Sequence, residues 1–151
     1  MKLAEALQER ADLNRKIEQL KVRLNNNVLV QDGEKPVEEP ELLKQELDAA
    51  IARLSYLITQ INLTNCETKV DGQTLTELIA QKDALTLKIH LYKDIVYTAS
   101  QTAYRARNTE IKVKSAISVA DWQAEIDKMA KKLRLLDNRL QENNWITELL
   151  E

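Results

Sequence analysis

The sequence predicts a mostly all-α protein, an elongated antiparallel four-helix bundle of coiled-coil-like hairpins with short β pieces near residues 28–30 and 111–113. Three observations carry this reading. Glycine and proline number two each in 151 residues and Phe is absent, so turns and rigid aromatic pockets are few. Charged residues make up 30% of the chain and hydrophobic ones 44%, the balance of amphipathic helices. Apolar residues recur at alternating spacings of three and four in four separate segments. The length fits a single helical domain over residues 1–151, with helices at about 2–25, 41–63, 75–102 and 119–143.

The first segment sets Leu3, Ile17 and Leu24 on one heptad position, with polar Arg10 among them, and Ala6, Leu13 and Leu20 on the other. That is a narrow seam. Three asparagines, 25 to 27, stop it. Val28, Leu29 and Val30 then read as an extended piece, and Asp32-Gly33 as a turn. Pro36 blocks helix, whereas Pro40 suits the first turn of the next one.

In the second helix Leu43, Ala50 and Leu57 alternate with Leu47, Leu54 and Ile61, and Ile51 and Ile58 widen the stripe. A stripe this wide asks for partners on two sides, which makes this the most buried helix. Asn62, Thr64 and Asn65 read as its stop, where the last carbonyls need capping donors. Asn62-Leu63-Thr64 also matches the glycosylation pattern, a coincidence in a chain that opens without a signal peptide.

After the Asp71-Gly72 turn, Thr74 and Glu77 form a capping box for the third helix. Its seam is Leu75, Ile89 and Val96, interrupted by Lys82, with Leu78, Leu85, Tyr92 and Ala99. Ile111 and Val113 alternate with Lys112 and Lys114 as in a half-buried strand. Ser118 and Asp121 start the fourth helix, whose seam is Val119, Ile126, Leu133 and Leu140 with Trp122, Met129 and Leu136.

The chemistry is mostly exclusion. Glycines only at 33 and 72 leave no phosphate-cradling loop, dinucleotide fingerprint or nucleophile elbow. His90 is the sole histidine, and Leu87 stands where a di-iron bundle needs glutamate. No catalytic residue, cofactor site or metal site is therefore expected. His90 and Asp94 read as a solvated helix flank, and Cys66, the only cysteine, as a small residue at a helix exit. Twenty-two basic residues against 24 acidic ones give a net charge of −2 and no global pull towards nucleic acid or lipid.

Local asymmetry is larger. Residues 104–115 concentrate Arg105, Arg107, Lys112 and Lys114 beside Tyr104, the best candidate for polyanion binding. Asn62 and Asn65, at one end of the apolar stripe, are candidates for an interface or ligand contact. Trp145, placed after a helix end at "QENN", is a third such candidate. The N-terminus lacks an apolar leader and no run approaches a bilayer span, so the expected location is the cytoplasm of a bacterium.

The strings "LAEALQERADLNRKIEQLKVRL", "VQDGEKPVEEP", "INLTN", "DGQTLTELIAQKDAL", "EIK" and "QENNW" occur in this order over nearly the whole chain. Together they resemble a family of small bacterial helical proteins of unknown function whose members are often labelled septicolysin. The resemblance implies a helical bundle with small strand elements in a homo-oligomer, and the label implies a pore-forming cytolysin. From the residues themselves the expectation is a non-enzymatic, self-associating helical protein, a homo-oligomer with neither nucleic acid nor membrane as an expected partner. The membrane enters only through the cytolysin label.

Overall fold

A computed structural model describes residues 1–102 and 111–151. The chain is mostly helical, as the sequence predicts, with α1 at Leu3–Asn27, α2 at Pro40–Glu67, α3 at Leu75–Ala99 and α4 at Val119–Ile146. One two-stranded sheet, β1 (Lys69–Val70) and β2 (Gln73–Thr74), separates α2 from α3. The chain divides into two compact units, residues 1–74 with 143–151, and residues 75–142.

In the first unit α1 and α2 form an antiparallel hairpin. Arg53 grips Glu9 with both guanidinium arms, at 2.7 and 2.9 Å. Lys16 faces Glu46 at 4.0 Å and Arg23 pairs with Glu38. Glu9–Arg53 and Lys16–Glu46 keep one register along the two helices, Arg23 reaches Glu38 in the connector just before α2, and Leu20, Leu43, Ala50 and Leu57 are buried. Each helix start follows from its sequence. The Lys2 N–H donates to the Glu5 carboxylate at 2.7 Å, and Pro40 occupies the first turn of α2, where its missing N–H costs nothing.

The connector is held by an asparagine. The Asn27 side chain, 8% exposed, donates to the Arg23 carbonyl at 2.8 Å and accepts the Glu38 N–H at 3.0 Å. Its amide therefore ends α1 and anchors the approach to α2 together. Between them, the Glu34 N–H closes onto the Gln31 carbonyl at 3.0 Å with Gly33 at φ +83°, the geometry of a type II turn.

Among the described residues neither expected β piece, 28–30 nor 111–113, forms a strand. Val28, Leu29 and Val30 are exposed and unpaired in a sheet, because Asn27 already fixes the backbone on their N-terminal side. Over 111–113 only Lys112 makes an isolated bridge. The sheet falls instead around Asp71-Gly72, whose φ values of +50° and +83° give the two-residue turn that matches strand twist.

In the second unit, α3 and α4 run antiparallel, joined by Lys82 to Asp137 at 2.5 Å and by Tyr92 against Trp122 at 5.0 Å between ring centroids. Leu75, Leu78, Ile89, Ile126 and Leu140 are its buried apolar side chains among the described residues. The Asp121 N–H reaches the Ser118 hydroxyl at 3.3 Å, the expected start of α4. No helix among the described residues is long and apolar enough to cross a membrane.

Candidate functional site

The amide-rich stretch 62–65 does not end α2, which continues to Glu67. Thr64, 1% exposed, explains this. Its hydroxyl donates to the Gln60 carbonyl one turn back at 2.7 Å and accepts the Leu150 N–H at 3.0 Å. The threonine is thus a buried joint between α2 and the C-terminal tail, with the capping need displaced to residue 68. Asn62 is exposed on the outer side and Asn65 half-buried.

The same tail closes on the N-terminus. The Leu3 N–H donates to the Thr147 carbonyl at 2.9 Å and the Leu149 N–H to the Met1 carbonyl at 2.8 Å, while Lys2 meets Glu148 at 2.5 Å. The Lys2 ammonium holds the Glu148 carboxyl below the ordinary carboxylate range. Trp145 lies inside the last turn of α4, which runs on through "QENN" to Ile146. The expectation that the amides end this helix is thereby corrected. Trp145 and Ile146 are 52% and 64% exposed.

The basic candidates are split by what is described. Arg105 and Arg107 lie outside the described residues. Lys112 and Lys114 are exposed, and Lys114 lines an apolar cleft of about 430 Å³ with Ile95, Ala99, Val113 and Ile117, with Asp94 in the same lining. Among the described residues the cleft carries one base and one acid, which by themselves do not form a phosphate cradle. His90 and Asp94 stand 4.0 Å apart, both about three-quarters exposed, beyond hydrogen-bond length. Among the described residues no group of three His, Cys, Asp or Glu side chains is placed to hold a metal.

The longest uncharged stretch among the described helices is on α2. Its inner row, Leu43, Ala50, Leu57, Ile61 and Thr64, is buried. Ile51 and Ile58, which widen the stripe, remain 47% and 41% exposed. Beyond them the outer residues Ala52, Ser55, Thr59 and Asn62 are exposed as well. From Leu54 to Cys66 the helix has no acidic or basic side chain, and Arg53, just before, is committed to Glu9. That bond holds the Glu9 carboxyl below the ordinary carboxylate range and raises Arg53, against the opposing pull of burial. Sequence reasoning read Asn27 and Thr64 as helix stops and missed their partners Glu38 and Leu150, and it missed this ion pair. The available signal for the ion pair was Arg53 as the last charge before thirteen uncharged residues of α2.

A crystal structure described as a functionally unknown conserved protein from Corynebacterium diphtheriae is similar over 99% of both chains, at 34% identity and a TM-score of 0.92. No curated protein matches the chain. Neither the description of that structure nor that of the matching family carries the septicolysin name that the sequence resemblance brings. With a family model matching residues 10–149, the chain belongs to the family described as a family of unknown function (DUF6847).

Proposed function

We propose that this protein is a non-enzymatic, cytoplasmic interaction protein that works by self-association through its helices. The observation that carries the proposal is the uncovered half of the α2 stripe. Ile51 and Ile58 stand 47% and 41% in water beside a row that α1 buries, so part of the apolar face still lacks a partner. Burying such area releases about 25 cal/mol per Å², and an isologous contact gains it twice. Light scattering at micromolar concentration tests this directly. A mass at a multiple of 17.4 kDa is expected, and 17.4 kDa itself overturns the proposal.

The cytolysin implied by the septicolysin label is the competing reading, and the resemblance alone favours it. Dye release from liposomes by the purified protein, at any lipid charge between about pH 5 and 7.5, would replace the present proposal with that one. Polyanion binding through Arg105, Arg107, Lys112 and Lys114 makes its own demand. Retention on RNA or DNA must then fall with salt and disappear on charge reversal.

A further inference from the structure

We infer that the outer face of α2 docks against the same face of a second copy of this chain, the two helices antiparallel and crossing beside Ser55. This rests on the self-association proposed above and adds its surface and its orientation.

The first argument is charge. In α1, α3 and α4 no run of more than five helical residues lacks an acidic or basic side chain, whereas α2 runs thirteen, Leu54–Cys66. Exposed helix faces that stay in water normally carry charges, which keep them hydrated and apart. A neutral face cannot repay the desolvation of a charged partner, so it fits a surface as neutral as itself. α2 presents one with small side chains at its centre, whereas the uncharged exposed row of α3, Ala84, Leu87 and Leu91, has leucines there.

The second argument is shape. Ala52, Ser55 and Thr59 are small, exposed and follow one another at helical spacings of three and four, with the larger Ile51 and Ile58 along one edge. Small residues in the centre let two backbones approach to about 8 Å, the short end of helix packing distances. The isoleucines then become knobs for the partner.

Orientation follows from the nearest charges. With the two-fold axis beside Ser55, antiparallel helices set Ala52 opposite Ile58, Asp48 opposite Asn62 and Lys44 opposite Cys66. No like charges meet, and large residues face small ones. Parallel helices in register would stack Asp48 on Asp48 and Lys44 on Lys44, and would align the two helix dipoles.

The test uses the full chain. The wild type is expected to run as a dimer, or as a larger even-numbered oligomer built from such dimers. Ser55→Glu puts two carboxylates on the axis and is expected to halve the mass measured by light scattering, with the circular dichroism unchanged because Ser55 is exposed. Thr59→Lys, one turn on, is expected to do the same. Leu91→Glu, in the exposed apolar row of α3, is expected to leave the mass as it is.

A wild-type mass of 17.4 kDa overturns self-association as such. An oligomer that survives Ser55→Glu and Thr59→Lys, or one broken by Leu91→Glu, overturns this face and leaves self-association standing. Orientation is read in a Cys66→Ser background under mild copper-catalysed oxidation. Asp48→Cys and Asn62→Cys chains are expected to cross-link when mixed and not singly. Efficient cross-linking of Asp48→Cys to itself overturns the antiparallel arrangement.

Discussion

Along α1 and α2 the backbones come within 8 Å of one another repeatedly, whereas α3 and α4 are held further apart. The side chains account for the difference. The first pair meets over aliphatic residues with Ala50 among them, and its charged residues link across the seam from the sides. The second pair puts Tyr92 against Trp122 and brings Lys82 to Asp137 along the seam, so rings and an ion pair act as spacers. A short side chain at the centre sets a close approach, and an aromatic pair sets a wide one. The same rule is what makes the Ala52 and Ser55 face of α2 suited to a second close contact.

The comparison breaks most sharply at the centre of the close pair. Leu57→Ala, at a fully buried position, is expected to cost about 3 kcal/mol in urea unfolding. Leu85→Ala, at a half-buried position on the α3 seam, should cost roughly half of that by the same principle. Equal losses would show that the two seams are equally filled. Next comes the spacer. Trp122→Ala is expected to cost about 2 kcal/mol, less than a fully buried tryptophan, and to remove most of the near-ultraviolet dichroism contributed by the Tyr92 contact.

Smaller effects sharpen the picture. Thr64→Val keeps the shape but leaves the part-buried Leu150 N–H without its acceptor, at about 1 kcal/mol. Hydrogen exchange at the Leu150 amide should accelerate correspondingly. The double-mutant cycle of Glu9→Gln and Arg53→Met should return only about 0.5 kcal/mol, since both side chains are about a third or more exposed and salt screens them.

Its pH dependence has a definite sign. The Arg53 guanidinium holds the Glu9 carboxyl, and the Lys82 ammonium the Asp137 carboxyl, below the ordinary carboxylate range. Carboxyls lowered on folding stabilise the protein above their ordinary values and lose that contribution as the pH falls through the folded ones. The coupling in the cycle should therefore be constant above about pH 5 and fade below about pH 4. A coupling that grew on acidification would refute the assignment.

Much of this fold is written in local spacing. The seams Leu43, Ala50, Leu57 and Leu78, Leu85, Tyr92 place their helices by periodicity alone, and Pro40 and Ser118 mark two starts. What the sequence concealed depends on distant partners. Asn62, Thr64 and Asn65 look like a stop because amides and hydroxyls favour helix ends, yet Thr64 finds its partner at Leu150. Val28 to Val30 look like a strand because valine is a β-former, but Val28 is the αR cap of α1 and none of the three pairs with a strand among the described residues. The candidate face was legible only as a lack of charge, a signal visible once the residues paired with Arg53 and buried by α1 had been subtracted.

The discontinuous first unit has a consequence for biosynthesis. Residues 1–74 leave the ribosome early, but the residues that complete their unit, 143–151, follow only after 75–142 have been made. At roughly 5 to 20 residues per second, that interval lasts about 3 to 14 seconds. Throughout it Thr64 lacks Leu150, Leu3 lacks Thr147, and the neutral flank of α2 is open to other nascent chains on the same message. A surface suited to a second copy of its own chain is thereby available on the polysome before the fold is closed.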